Sequence, residues 1–389
     1  MINTFKVVYI DYSLRLVTQL IIVSVFVKKL SNIEFADFSF YLMLSGYIAV
    51  VINSGFDSLI NRQLADHDKN EADDFYFQAL KIKIALHLFL SIIFVCFMQT
   101  ATLIPFLCLS LFGIILEHQD IKMRFTNNYK PVVWRIAATP LFFIGKVLAC
   151  FNANINGFLL VTILETLYCI LINYYYSPKL LIFGQESQFI RKYWHDFSKT
   201  ILSGGLIFTY LQIDQFFIYA FLGKEVYSVY ALATRFYTLG NNLVGIFARY
   251  RIPQLYLGES TYRQTLLKLY SAQAFFSIVV VAGLCLYVVF WVPNYFNSLY
   301  ILAILIFCGF GLIFGQIKGV YFIKLNQLMP DIYNAIFGMI VFSLCYFCSH
   351  IQTGIGVAVC YLIGIIASGV ISTFFYKTGR EYFKLLIKD

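Results

Sequence analysis

The 389-residue sequence is 60% hydrophobic and 13% charged, with a formal net charge of +9 and a mean hydropathy of +0.76. Soluble domains carry about a quarter charged residues, so these values exclude a water-soluble globular protein and define an integral membrane protein. The nine cysteines all fall inside apolar runs, where they act as small hydrophobes rather than as a disulfide framework. Cys345 and Cys348 form a C-x-x-C, but no second ligand pair lies near them, as a zinc site would need.

A bilayer core about 30 Å thick needs about 20 apolar residues per helix. On that ruler the spans run near 7–27, 39–60, 79–98, 101–119, 132–151, 157–176, 201–222, 226–248, 266–291, 297–317, 331–349 and 354–376. The first apolar run carries Asp11 and Arg15 and lacks the cleavage site of a removable signal, so it reads as a retained span. The turn after it, LSNIEFADFSFY from Leu30 to Tyr41, has a counterpart in LGKEVYSVYALA from Leu222 to Ala233. In both, an aromatic–small–x–aromatic pattern opens the next span (Phe35, Ala36, Phe38; Tyr227, Ser228, Tyr230), and a basic end closes it (Arg62; Arg251). Six spans separate the copies, so both halves enter the membrane the same way up, as parallel repeats do.

Charge orders the loops. With the N-terminus cytoplasmic, 23 of the 29 Lys and Arg residues fall in or at the edges of inner segments, Lys81, Lys83, Arg135 and Lys318 among them. Only Lys28, Lys29 and Lys224 are outside, and Arg15, Lys146 and Arg235 lie within spans. This asymmetry places both termini in the cytoplasm. The positive net charge is then a cytoplasmic face, and no nucleic-acid partner is implied. Residues 1–176 form one six-helix half and 201–389 the other, with a short tail. The linker 177–200, with Phe189, Ile190, Tyr193, Trp194 and Phe197 among charges, is either an interfacial helix or a plain connector.

The sequence lacks G-x-x-x-x-G-K-[ST], H-E-x-x-H and G-x-S-x-G, and no cofactor site is expected. Its outer loops are too short for a soluble catalytic domain. What remains is a carrier built of two six-helix halves.

A charge at the centre of a span costs about 2.5–3.5 kcal/mol on insertion scales, so each needs a reason. Asp11 and Arg15 are four residues apart on one face of the first span, with Arg15 roughly 12 Å from its cytoplasmic end. They form either a self-neutralising pair or one that opens for an anion or a proton. Arg235 lies deep in the eighth span, and Asp214 in the seventh is a candidate partner and a candidate ion site. Lys146 can snorkel to the outer interface or face a site. Glu165 and His87 are either proton relays or hydrogen-bonded core residues. Asp57, Arg62, Arg249 and Arg251 sit at inner span ends, as interface or gate residues. Pro140 interrupts the fifth span, and Gly311, Gly315 and Gly319 offer a helix-packing face at four-residue spacing.

The stretch IDQFFIYAFLGKEVYSVYALATRFY from Ile213 to Tyr237, followed through its Asp214, Leu222, Gly223, Tyr230 and Ala233, resembles the polysaccharide-exporter branch of the multidrug/oligosaccharidyl-lipid/polysaccharide superfamily, and within it the Wzx-type O-antigen flippases. Ser228 stands where that pattern has Gly, and Phe56, Asp57 and Arg62 echo it in the first half. The resemblance implies an all-α, MATE-like fold of 12 transmembrane helices in two bundles related by a parallel pseudo-twofold. It also implies a function: flipping an undecaprenyl-diphosphate-linked oligosaccharide across the bacterial inner membrane by alternating access, coupled to a proton or cation gradient. Other polysaccharide assembly proteins would be partners. Arg15, Arg235 and Lys146 would then meet the diphosphate, and Asp11, Asp214 and Glu165 would serve as charge partners or coupling sites. The competing readings are a cation-coupled drug or solute exporter of the same fold, a membrane polymerase or acyltransferase, and a non-catalytic scaffold.

Overall fold

The computed structural model describes residues 2–66, 69–98, 100–126, 130–176, 189–256, 261–325 and 329–388. Among the described residues all regular structure is helical. The long helices are α1 (Ile2–Lys29), α2 (Asn32–Asp66), α3 (Lys69–Met98), α4 (Ile104–Thr126), α5 (Lys130–Phe151) and α6 (Ile155–Tyr176), then α7 (Phe189–Phe217), α8 (Lys224–Tyr256), α9 (Tyr262–Trp291), α10 (Asn297–Lys324), α11 (Met329–Cys348) and α12 (Gly354–Gly369). A thirteenth, α13 (Lys377–Lys388), follows a short 3-10 segment, Ile371–Phe375.

Each of the twelve expected spans is occupied by one of α1–α12. Among the described residues ten helices are long and apolar enough to cross a membrane, and α1 and α8 are the two that do not qualify. In α8 the cause is polar residues at mid-helix, Arg235, Asn241 and Asn242; several side chains of α1 lie outside the described set. The outward surfaces are apolar: Phe97 is 81% exposed, Phe290 74% and Ile278 70%. In water such surface would cost about 25 cal/mol per Å², a penalty that lipid removes.

The chain folds as two compact units, Met1–Lys29 with Phe38–Phe208, and Leu30–Asp37 with Thr209–Asp389. In the first unit α3 packs on α4, while α4 and α5 pack on α6. The second unit repeats this six helices later, with α9 on α10 and both α10 and α11 on α12. The cores agree as well. Phe56, Ile60, Phe75, Tyr76 and Ile121 join α2, α3 and α4, and Val244, Ala248, Leu269, Phe314 and Ile317 join α8, α9 and α10.

The repeated turns explain their own sequence. Phe35, Ala36 and Phe38 are buried in the first copy, and Tyr227, Ser228 and Tyr230 in the second. Equivalent backbone bonds open both helices, Phe35 N donating to Ser31 O at 2.9 Å and Tyr227 N to Gly223 O at 3.1 Å. The first turn is closed by a capping box, in which Ser31 N donates to Glu34 Oε2 at 2.9 Å and Glu34 N to Ser31 Oγ at 3.3 Å. The second uses glycine. A π-helical turn, Ile218–Leu222, ends α7, and Gly223 follows at φ 87° and ψ 172°, a conformation open essentially to glycine alone. Gly223→Ala is therefore expected to destabilise the protein by about 1–3 kcal/mol. Thermal unfolding of the purified protein measures it, and an unchanged midpoint would mean that the turn has other ways to close.

Two sequence-based assignments change. The residues of 177–188 lie outside the described set, but from Phe189 onward the linker is the start of α7, continuous with the seventh span. The expected tail is helix α13, whose Tyr382 is fully buried in the core of the second unit.

Candidate functional site

In the first unit α1 packs on α5, and α5 and α4 on α6. Glu165, Cys169 and Asn173 recur every four residues on α6, which places them on one face. Arg135, Thr139 and Lys146 form a similar stripe on α5. The two stripes, with α1 and α4, build a cluster of polar groups inside the membrane unit.

Arg15 Nε donates to Asp11 Oδ1 at 3.2 Å, and Arg15 Nη2 reaches Cys169 Sγ at 3.8 Å. The Arg15 side chain is 36% exposed and that of Asp11 12%, and among the described residues Arg15 Nη1 has no hydrogen-bond partner. Arg135 is the buried centre of the cluster. Its Nη1 and Nη2 donate to Asp120 Oδ2 and Oδ1 at 3.2 and 2.5 Å, and Nη2 also donates to Asn173 Oδ1 at 2.6 Å. Asn173 Nδ2 in turn donates to Gln119 Oε1 at 3.0 Å. Lys146 pairs with Glu165 within the unit instead of reaching for the interface. Asp11 feels the charges of Arg135 and Asp120, and Arg15 those of Asp120 and Glu165, so the ion pairs form one electrostatic unit. Three carboxylates and three cations make it formally balanced.

Arg135 and Lys83, counted with the inner segments by sequence position, are buried. Lys83 is fully buried; its Nζ donates to Asn53 Oδ1 at 2.9 Å and lies 5.8 Å from the centroid of the Phe56 ring. Asn53 also donates to Glu117. His87 is a hydrogen-bonded core residue, with Nε2 2.6 Å from Ser110 Oγ and Nδ1 3.3 Å from Ser91 Oγ.

In the second unit Asp214 is 2% exposed. Tyr230 OH donates to its Oδ2, and Oδ1 has no hydrogen-bond partner among the described residues. The expected Asp214–Arg235 pair is thus replaced by a tyrosine–aspartate bond, because Tyr230 lies directly across from Asp214 in the α7–α8 hairpin. Arg235, half-buried on α8, has Tyr227 as an electrostatic neighbour. Tyr227 OH donates to Gln215 Oε1 at 3.3 Å. Ser228, in the glycine position of the pattern, donates from its hydroxyl to Glu225 O at 2.7 Å. Arg251 lies 5.7 Å from the Phe247 ring, while the side chains of Asp57, Arg62 and Arg249 lie outside the described residues. The three glycines of α10 do not form one packing stripe. A Cβ at Gly311 would collide with Ile365, at Gly319 it would lie 3.4 Å from Asp331 Oδ2, and at Gly315 it would meet nothing within 4 Å.

Lys318, also counted as an inner-segment charge, is 2% exposed. Its Nζ donates to Ser368 O at 3.1 Å, Gly369 O at 2.9 Å and Thr373 Oγ1 at 3.0 Å.

No family model matches the chain, and no curated protein does. Solved structures do. The lipid II flippase MurJ in an inward closed conformation superposes with a TM-score of 0.66 at 16% identity, covering 100% of this chain and 90% of that one. A multidrug resistance MATE family transporter of the MOP superfamily, facing inward, gives 0.63 at 16% identity, with 95% of each chain covered. A MOP superfamily transporter from Pyrococcus furiosus, described as having reverse polarity in its binding pocket, gives 0.56 at 14% identity over 100% of this chain and 96% of that one. Likeness at this identity establishes the fold, which is the all-helical one shared by MurJ and the MATE transporters.

Proposed function

We propose that the protein is a carrier that flips an undecaprenyl-diphosphate-linked oligosaccharide, an O-antigen or related repeat unit, across the bacterial inner membrane by alternating access. In this reading 1–176 and 201–389 are the moving halves, both termini are cytoplasmic, and the glycan is delivered to surface polysaccharide assembly. The observation that carries it is Arg15. Its side chain stands 36% exposed on a membrane helix, held at Nε by Asp11 with Nη1 available to a further acceptor. A diphosphate needs such a planar, permanently charged donor where water is scarce. Arg235 and Lys146 are the additional cations that the head group would meet, and Asp11 and Glu165 the carboxylates that release them. Asp214, with one buried carboxylate oxygen lacking a hydrogen-bond partner among the described residues, is where a coupling proton or cation would reside.

The test is flipping of a fluorescent lipid-diphosphate oligosaccharide in proteoliposomes. Arg15→Ala is expected to slow it roughly tenfold to a hundredfold, the worth of a hydrogen bond to a charged group, with Arg15→Lys intermediate because it keeps the charge and loses the fork. A wild-type rate for Arg15→Ala would sink the assignment of that residue. Extrusion of cationic dyes without movement of the glycolipid would favour the drug-exporter reading instead.

A further inference from the structure

The short helix α13 has two opposed faces. Tyr382 on the inner face is buried among Leu266, Leu269, Phe314 and Ile317, and the Phe383 and Phe374 rings stack with centroids 4.6 Å apart and planes at 15°. At Gly379 a Cβ would collide with the Thr373 carbonyl, so the helix lies tight against the segment that precedes it. These contacts fix its rotation. Lys377, Arg380 and Lys384, spaced three and four residues apart, then lie on the side opposite Tyr382, and all three are exposed.

Helix stability does not account for this stripe. The first turn holds no acid and does hold Lys377 and Arg380, where the positive end of the helix dipole disfavours cations. Among the described residues none of the three cations forms a salt bridge, although Glu381 lies within one turn of each. Like charges three and four residues apart repel, and the single carboxylate of Glu381 stands against three cations.

What adjoins the stripe indicates the anion. The candidate membrane span Gly354–Phe375 ends two residues before Lys377, at most ~7 Å of chain. Phe374 is 52% exposed, Phe375 64% and Ile387 77%, an apolar fringe beside the cations. Apolar side chains flanking a basic stripe at the end of a span match the boundary between acyl chains and head groups.

We infer that α13 is an interfacial helix whose Lys377, Arg380 and Lys384 bind the phosphates of anionic lipid head groups. The site is separate from the ionic cluster of the first unit and does not depend on the cargo proposed above.

Purified full-length protein would be equilibrated with phosphatidylglycerol and phosphatidylcholine in equal amounts, and the retained lipid counted by native mass spectrometry. Wild type is expected to retain phosphatidylglycerol preferentially, and K377Q/R380Q/K384Q to lose about tenfold or more of that preference, given roughly fivefold per cation at a charged surface. A K28Q/K29Q control is expected to keep it. Salt at about 1 M, where the screening length falls to ~3 Å, is expected to erase the wild-type preference without any substitution, a readout that stands even if the triple variant misfolds. An unchanged preference in the folded triple variant, or one insensitive to salt, would overturn the inference. So would equal competition by inorganic phosphate, which would make the stripe a site for the free anion.

Discussion

Arg135→Ala is expected to destabilise the protein by about 3 kcal/mol, the lower end of the cost of removing one partner from a buried ion pair, because the Asp120 side chain keeps 29% of its surface exposed. Arg135 is 3% exposed, bonded to both oxygens of Asp120 and to Asn173. Its loss leaves a carboxylate and an amide without their donor inside the unit. The energy lies in that mismatch rather than in the pair's own attraction, which desolvation largely offsets. A double-mutant cycle separates the two. Asp120→Ala on top of Arg135→Ala is expected to recover part of the Arg135→Ala loss, because the stranded charge goes with it. Thermal unfolding of the purified variants reads both effects. Strictly additive losses would show that the two side chains are independent and that the network has no energetic coupling.

The contrast between Arg135 and Arg15 shows what a sequence carries and what it does not. Helix positions are legible because the bilayer enforces apolar runs of one length, and the repeat is legible because turn chemistry is local. Leu222-Gly223 announces a backbone that only glycine adopts, and Ser31 with Glu34 a capping box. Side-chain partners are not local. Arg135 and Lys83 stand near helix ends in sequence and read as loop charges, yet each turns inward to groups on other helices, Asp120 and Asn173 for one and Asn53 for the other. The four-residue stripe of Glu165, Cys169 and Asn173 on α6 was the available signal for the cluster, because polar groups on one face of a membrane helix must find partners inside the protein. Asp214 teaches the converse. Its nearest cation within a span is Arg235, but its bonded partner is Tyr230, which lies across from it on the neighbouring helix.

Lys318→Met is expected to be the next most damaging change, about 1–3 kcal/mol. The last turn of a helix leaves carbonyls without intrahelical donors, and α12 ends inside the protein where water does not supply them. Lys318 does. All three of its ammonium protons are used, on Ser368 O, Gly369 O and Thr373 Oγ1, and a cation at a helix C-terminus also suits the dipole. Asp331 on α11 is its electrostatic counterpart. Methionine keeps most of the volume but leaves Ser368 O and Gly369 O with only the hydroxyls of Ser372 and Thr373, which donate to them at 2.5 and 2.7 Å, and takes from Asp331 its cation. The break between α12 and α13 should then loosen first, so amide exchange is expected to rise in 369–388 before the rest of the second unit. Lys318→Met combined with Asp331→Asn is expected to recover part of the loss by removing the stranded charge. Unchanged stability together with unchanged exchange at that break would mean that the Ser372 and Thr373 hydroxyls suffice for the carbonyls, and that α13 is held by its packing around Tyr382 and Phe383.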